Sequence, residues 1–143
     1  MISKQEISDA DLLKLAIEAT AKSQQTAQTN AAWKQSYMGY VGCALISEAG
    51  NIYTGVVLNF QNGIGFCAEH SAVAEMVKNG ESRIVKIAGA TAKGAALPPC
   101  GRCREMMIQL DPKNCDTEVL LPNGQSSNLK ELIPNNWQNY WDG

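Results

Sequence analysis

The sequence predicts an α/β domain in which a mixed sheet carries helices on its faces. Three observations lead there. Residues 40–47, 52–58, 83–90 and 117–121 are short apolar or β-branched runs of strand length. Stretches with helical spacing alternate with them. The length, 143 residues, suits one domain, 1–143, around a single core.

Each element has its own signal. Ser8-Asp9-Ala10-Asp11 looks like a helix start, and Leu12, Leu13, Ala16, Ala19 and Thr20 share one face behind it. Residues 24–35, rich in Gln, Thr, Asn and Ala, are expected to fray into a loop. The strand at 40–47 turns at Glu48-Ala49-Gly50-Asn51 into the strand at 52–58. Residues 59–66, with Asn62-Gly63 and Gly65, read as a loop. From Cys67 onward Ala68, Ala72, Val73, Met76 and Val77 keep a helical period until Asn79-Gly80 stops it. After the strand at 83–90 and a loop at 91–99, Pro98-Pro99 precedes a second helix over 101–110, with Met106, Met107 and Leu110 apolar. A strand at 117–121 reaches the turn Pro122-Asn123-Gly124. Asn128-Leu129-Lys130-Glu131 is a capping pattern for a short helix ended by Pro134.

Composition narrows the function classes. Hydrophobic residues make up 45% and charged residues 18%, which are globular values. The net charge is −2, with lysines and arginines scattered, so the basic groove that a nucleic-acid strand requires is not expected. No apolar run is long enough to span a membrane, and no basic-plus-apolar leader opens the chain. Five cysteines in such a chain, three of them clustered in a motif, point to a reducing cytoplasm. Cys43 and Cys115 are expected as small core residues, not disulfide partners.

The chemistry is concentrated in two short strings. Cys67-Ala68-Glu69 is followed, after 29 intervening residues, by Pro99-Cys100-Gly101-Arg102-Cys103. Both open helices, and a helix N-terminus favours a neighbouring thiolate by about 0.3–1 kcal/mol. A lone Cys-x-Glu or Cys-x-x-Cys would be weak. Together, in this order and with proline before the second pair, they resemble the signature of the zinc-dependent cytosine and adenine deaminases. The resemblance is to the cytidine deaminase superfamily, small three-Cys type. Val41-Gly42-Cys43-Ala44-Leu45 and Gly50-Asn51-Ile52-Tyr53-Thr54-Gly55-Val56 are similar to that family's first hairpin, and Glu131-Leu132-Ile133-Pro134 to its C-terminal helix. The string from Pro99 to Arg104 and the Trp141-Asp142-Gly143 ending resemble the blasticidin S deaminases within it.

The resemblance implies a three-layer α/β/α sandwich with a mixed five-stranded sheet. It implies one Zn2+ per chain on Cys67, Cys100 and Cys103, and Glu69 as the carboxylate that moves protons. Three ligands leave a fourth tetrahedral position for water. The implied reaction takes a cytosine-type nucleoside, either cytidine, deoxycytidine or the antibiotic blasticidin S, to the uracil-type product and ammonia. A non-catalytic zinc-stabilised module, or a deaminase of another amidine or modified base, remains open. A homotetramer whose subunits share active-site walls is also implied.

Three thiolates leave zinc with a negative formal charge, so nearby cations matter. His70, Arg102 and Arg104 supply them. Family members with three Cys ligands commonly carry Arg after the Glu; here that place is His70, the single histidine. His70 has three readings: a neighbour of the thiolates that makes activity change between pH 5 and 8, a fourth ligand on the helical face of Cys67, or a packed ring.

The sugar end departs from the family. Registering on Thr54-Gly55-Val56 puts Val57 and Asn59 where an Asn-x-Glu holds the ribose hydroxyl. Losing such groups changes specificity sharply. A shifted clamp from Asn59-Phe60-Gln61 is the alternative. Gly39 falls where the family has Phe, implying open space. Asn59, Ala68 and Trp141 are the candidate substrate contacts. Trp137, Tyr140 and Trp141 serve equally as packing or subunit contacts.

Overall fold

The computed structural model describes residues 7–142. Helix α1 (Asp9–Glu18) begins where Ser8 accepts a hydrogen bond from the Asp11 amide, the expected cap. Its Leu12 and Ala16 are fully buried, and Thr20 beyond its end turns its hydroxyl onto the Ile17 carbonyl.

Residues 24–35 differ from the expected loop, because α2 (Ala21–Ala27) and α3 (Ala31–Ser36) occupy them. Alanine and glutamine favour helix. Asn30 restarts the helix by accepting from the Trp33 amide, and Ala27 is buried.

Strand β1 (Val41–Ser47) is an inner strand covered on both faces, so six of its seven residues are buried and its alternation is hidden. It pairs antiparallel with β2 (Ile52–Val56) on one side and β5 (Ile84–Thr91) on the other. Between these lies an unexpected hairpin, β3 (Leu58–Asn59) with β4 (Gly65–Phe66). Asn62 and Gly63 both take positive φ at its tip, so the Asn-Gly pair is a hairpin turn, not merely a flexible stretch.

Helix α4 (Ala68–Lys78) precedes β5, and β6 (Ala96–Leu97) folds back antiparallel onto the end of β5. Helix α5 (Gly101–Leu110) matches the sequence reading. Strand β7 (Glu118–Leu120) runs parallel to β5, and β8 (Ser126–Asn128) closes antiparallel on β7 after the Pro122 turn. The order β2-β1-β5-β7-β8, with the two-residue β6 also on β5, is the expected mixed sheet. The Asn128 pattern yields a 3-10 turn, Leu129–Leu132, in place of an α-helix.

The sheet has two covered faces. Cys43, Leu45 and Ile87 meet Ala72, Met76 and Met107 from α4 and α5. Ala44, Ile46, Ala88 and Leu120 meet Leu12 and Ala16 from α1. Burying each large apolar side chain contributes roughly 1.5–3 kcal/mol. Cys43 lies fully inside the core, Cys115 is half-buried against it, and neither is in a disulfide. No helix of the described residues is long and apolar enough to cross a membrane.

Candidate metal centre and active site

Both motif cysteines sit immediately before their helices in extended backbone, Cys67 at φ −68°, ψ 160° and Cys100 at φ −68°, ψ 169°. The two N-termini converge on the same face of the sheet. Cys67 Sγ lies 3.5 Å from Cys100 Sγ, and Cys100 Sγ 3.6 Å from Cys103 Sγ. All three sulfurs fall within 4.8 Å of one another. Sulfurs on 2.3 Å bonds at the tetrahedral angle would stand about 3.8 Å apart. The donor set and its spacing therefore fit a tetrahedral soft cation, and Cys67, Cys100 and Cys103 would hold it.

Glu69, 6% exposed, lies on the first turn of α4 with Oε2 3.3 Å from Cys103 Sγ, which donates to it. Burial, then the Glu69 carboxylate, pushes the Cys103 thiol well above its usual range. Burial also raises Cys67. Cys100 goes the other way. Burial pushes it up, but the amides of Cys103 and Arg102 and the neighbouring thiols outweigh that and hold it below its usual value.

His70 Nδ1 lies 3.5 Å from Cys103 Sγ, and its ring tilts against Phe66 at 6.5 Å. It stands outside the mutually close sulfur set. Burial and the Arg102 charge lower its pKa against the opposing pull of Glu69. Arg104 takes a different part from the expected one. Its Nε donates to the Pro99 carbonyl at 2.9 Å and its guanidinium to the Leu132 carbonyl at 2.9 Å. It thus ties the turn before Cys100 to the C-terminal segment.

One residue at the site escaped the sequence reading. Gly89 on β5 lies behind the Glu69 carboxylate. A Cβ there would sit 3.3 Å from Glu69 Oε1 and 3.0 Å from the Leu97 carbonyl. A glycine inside a strand is the signal that could have found it.

The substrate side is less as expected. Asn59 borders a cavity of about 210 Å³ that also touches Val57, Phe60, Cys67 and Arg102. Its side-chain amide, however, donates to the Ser36 carbonyl at 2.6 Å. Ala68 is buried in the core. Gly39 leaves no open space: it takes φ +65°, and a Cβ there would lie 2.2 Å from Ser23 Oγ. Trp141 is 69% exposed and meets Trp137 edge to face, while Trp137 donates through Nε1 to Glu105 on α5. Gly143 lies outside the described residues.

A buried carboxylate against a three-thiol pocket at two helix N-termini defines a hydrolytic zinc site. Residues 8–118 match the family model of the cytidine and deoxycytidylate deaminase zinc-binding region, and the chain belongs to that family. It is similar to a cytidine deaminase of Halalkalibacterium halodurans, 34% identical over 66% of this chain and 74% of the relative. A probable cytidine deaminase of Dictyostelium discoideum is 31% identical over 85% and 81%. The crystal structure of the Mycobacterium leprae cytidine deaminase superposes with a TM-score of 0.68 at 26% identity, covering 91% of this chain and all (100%) of that one. The chain is a zinc-binding deaminase.

Proposed function

We propose that the chain deaminates a free cytosine-type nucleoside, cytidine, deoxycytidine or blasticidin S, releasing ammonia and the uracil-type product. The observation that carries this is Glu69, a carboxylate buried where a structural metal site has no use for one. Cys67, Cys100 and Cys103 would hold zinc, which would acidify a water to a pKa of about 7.

The protein's residues do the rest. The Glu69 carboxylate accepts a proton from the attacking water and delivers it to the ring nitrogen beside the reacting carbon. It then takes the remaining proton of the added hydroxyl to the amine, which leaves as ammonia while the carbonyl forms. Gly89 leaves the carboxylate room to turn between these positions. His70 Nδ1 lies 3.5 Å from Cys103 Sγ, and in the tautomer protonated there it would donate to the thiolate and withdraw charge from it. Arg104 keeps the Pro99–Cys100 turn in register with α5. Asn59, Ala68 and Trp141 remain the proposed substrate contacts, Trp141 from its own chain or from a neighbour's.

The proposed working form is a cytoplasmic homotetramer acting on small molecules, with neither nucleic acid nor membrane as partner. The family resemblance, the exposed Trp137, Tyr140 and Trp141, the five unpaired cysteines and the net charge of −2 support it. Sedimentation at micromolar concentration tests the assembly, and a mass of one chain refutes it.

An ultraviolet assay of zinc-loaded protein against cytidine, deoxycytidine and blasticidin S, with Glu69→Ala as blank, tests the reaction. Turnover of any of the three supports the reading. Turnover of none sends the search to other amidines.

A further inference from the structure

A second cavity adjoins the proposed site on its sugar side. It has about 420 Å³ and lies between the end of α3 and β3, walled by Trp33, Tyr37, Met38 and Phe60. Asn59 and Phe60 line both this cavity and the smaller one at Cys67 and Arg102, so the two adjoin across a shared wall.

Its walls are built, not incidental. The Asn59 side chain bonds the Ser36 carbonyl and the Asn59 amide approaches Met38 Sδ at 3.4 Å, which joins β3 to the end of α3. Tyr37 is held at φ 59°, a left-handed conformation uncommon for a bulky residue, and remains 66% exposed. Phe60 is 50% exposed. Two aromatic side chains thus stand exposed beside the proposed site, Tyr37 with its ring edge-to-face against Tyr40.

The charge pattern restricts what fits. No carboxylate, ammonium or guanidinium lines this cavity. A phosphate needs cationic donors and a cationic arm needs a carboxylate, each to offset its lost hydration. Aromatic side chains stack on flat uncharged groups without such partners.

We propose that the cavity between α3 and β3 is a subsite for an uncharged, planar group carried on the sugar of the nucleoside substrate. This rests on the nucleoside reading of the neighbouring site. It makes the chain selective for sugar-modified nucleosides over plain cytidine.

Zinc-loaded Glu69→Ala protein, which holds substrate without turning it over, provides the test. Calorimetric titration with cytidine, its 3′- and 5′-O-benzoyl esters, and cytidine 5′-monophosphate compares the arms directly. One benzoyl ester should bind about tenfold more tightly than cytidine, as expected of one added stacking contact. The monophosphate should gain nothing. Adding Tyr37→Ala and Phe60→Ala together should return the ester-to-cytidine ratio to about one; both side chains are exposed, and circular dichroism confirms the fold.

Equal affinities for cytidine and both esters would overturn the proposal, as would an ester advantage that survives in the Tyr37/Phe60 variant. So would a fall in oligomeric mass in that variant, which would make the surface a contact between copies. Absence of binding by every nucleoside would instead overturn the nucleoside reading, and the subsite with it.

Discussion

The two helix N-termini that build the metal centre share one backbone device and put it to different uses. Cys67 and Cys100 precede α4 and α5 with nearly the same dihedrals, each at a helix end whose first amides lack helical partners. After that they diverge. The α4 end contributes one thiol and then Glu69; the α5 end contributes two thiols and Arg104, which clamps the turn before it. The thiols diverge too, since Cys67 is raised by burial while Cys100 is drawn down by the amides of its own first turn. A helix start supplies the electrostatics for either task, and the side chains of its first turn select proton transfer or metal retention.

Substitutions at the α5 end test the metal half of this contrast and should act most strongly. Cys100→Ser or Cys103→Ser should reduce bound zinc from one equivalent to near zero and lower the melting temperature by roughly 10 °C, because metal binding and folding are linked. Elemental analysis and a thermal melt read both; full zinc occupancy would contradict the ligand assignment.

At the α4 end the pattern should invert. Glu69→Ala should lose about 10³-fold in kcat, a typical general acid–base contribution. Zinc content should stay at one, since removing a negative neighbour eases ionisation of Cys103. Retained turnover would remove Glu69 from its role.

Breaking the clamp should give an intermediate effect. Arg104→Ala leaves the Pro99 and Leu132 carbonyls without their donor and should cost about 2 kcal/mol of stability. An unchanged denaturation midpoint would show that the C-terminal segment does not support the ligand turn.

Two smaller effects sharpen the comparison further. Gly89→Ala places a Cβ against the Glu69 carboxylate and should lower kcat about threefold with KM and zinc content unchanged. His70→Arg puts a permanent cation near a thiol that burial and Glu69 hold protonated. A proton must leave Cys103 before metal binds, so apparent zinc affinity should rise with pH in the parent protein. In the Arg variant it should be about threefold tighter at pH 6. Competition against a chelator measures both, and parallel pH curves for the two proteins would remove the electrostatic role of residue 70.

Legibility along the chain followed the range of the forces involved. Helices α4 and α5 were readable from Cys67 and Cys100 because stops, prolines and apolar spacing act within a turn or two. Residues 24–35 misled, because alanine and glutamine are compatible with loop or helix until Asn30 caps α3 and the core covers Ala27. Strands β6 and β8 are too short to show a period and exist through pairing with β5 and β7. The hairpin at Asn62-Gly63 carried a turn signal, yet two-residue strands gave it nothing to flank. Asn59 borders the cavity at Cys67, but its amide is spent on Ser36, which no pattern within β3 announces.

Residue order alone therefore specified the reaction half of this protein. Three soft donors and a carboxylate at fixed offsets from helix starts carried the resemblance to the zinc deaminases, and the family match agrees with it. Packing settled the remainder: the 3.5 Å approach of Cys67 to Cys100 across 33 positions, the glycine floor beneath Glu69, and the aromatic wall beside Asn59. Those depend on contacts between segments distant in sequence, whose geometry is set by the whole sheet and its two covered faces, not by the identity of any neighbour along the chain.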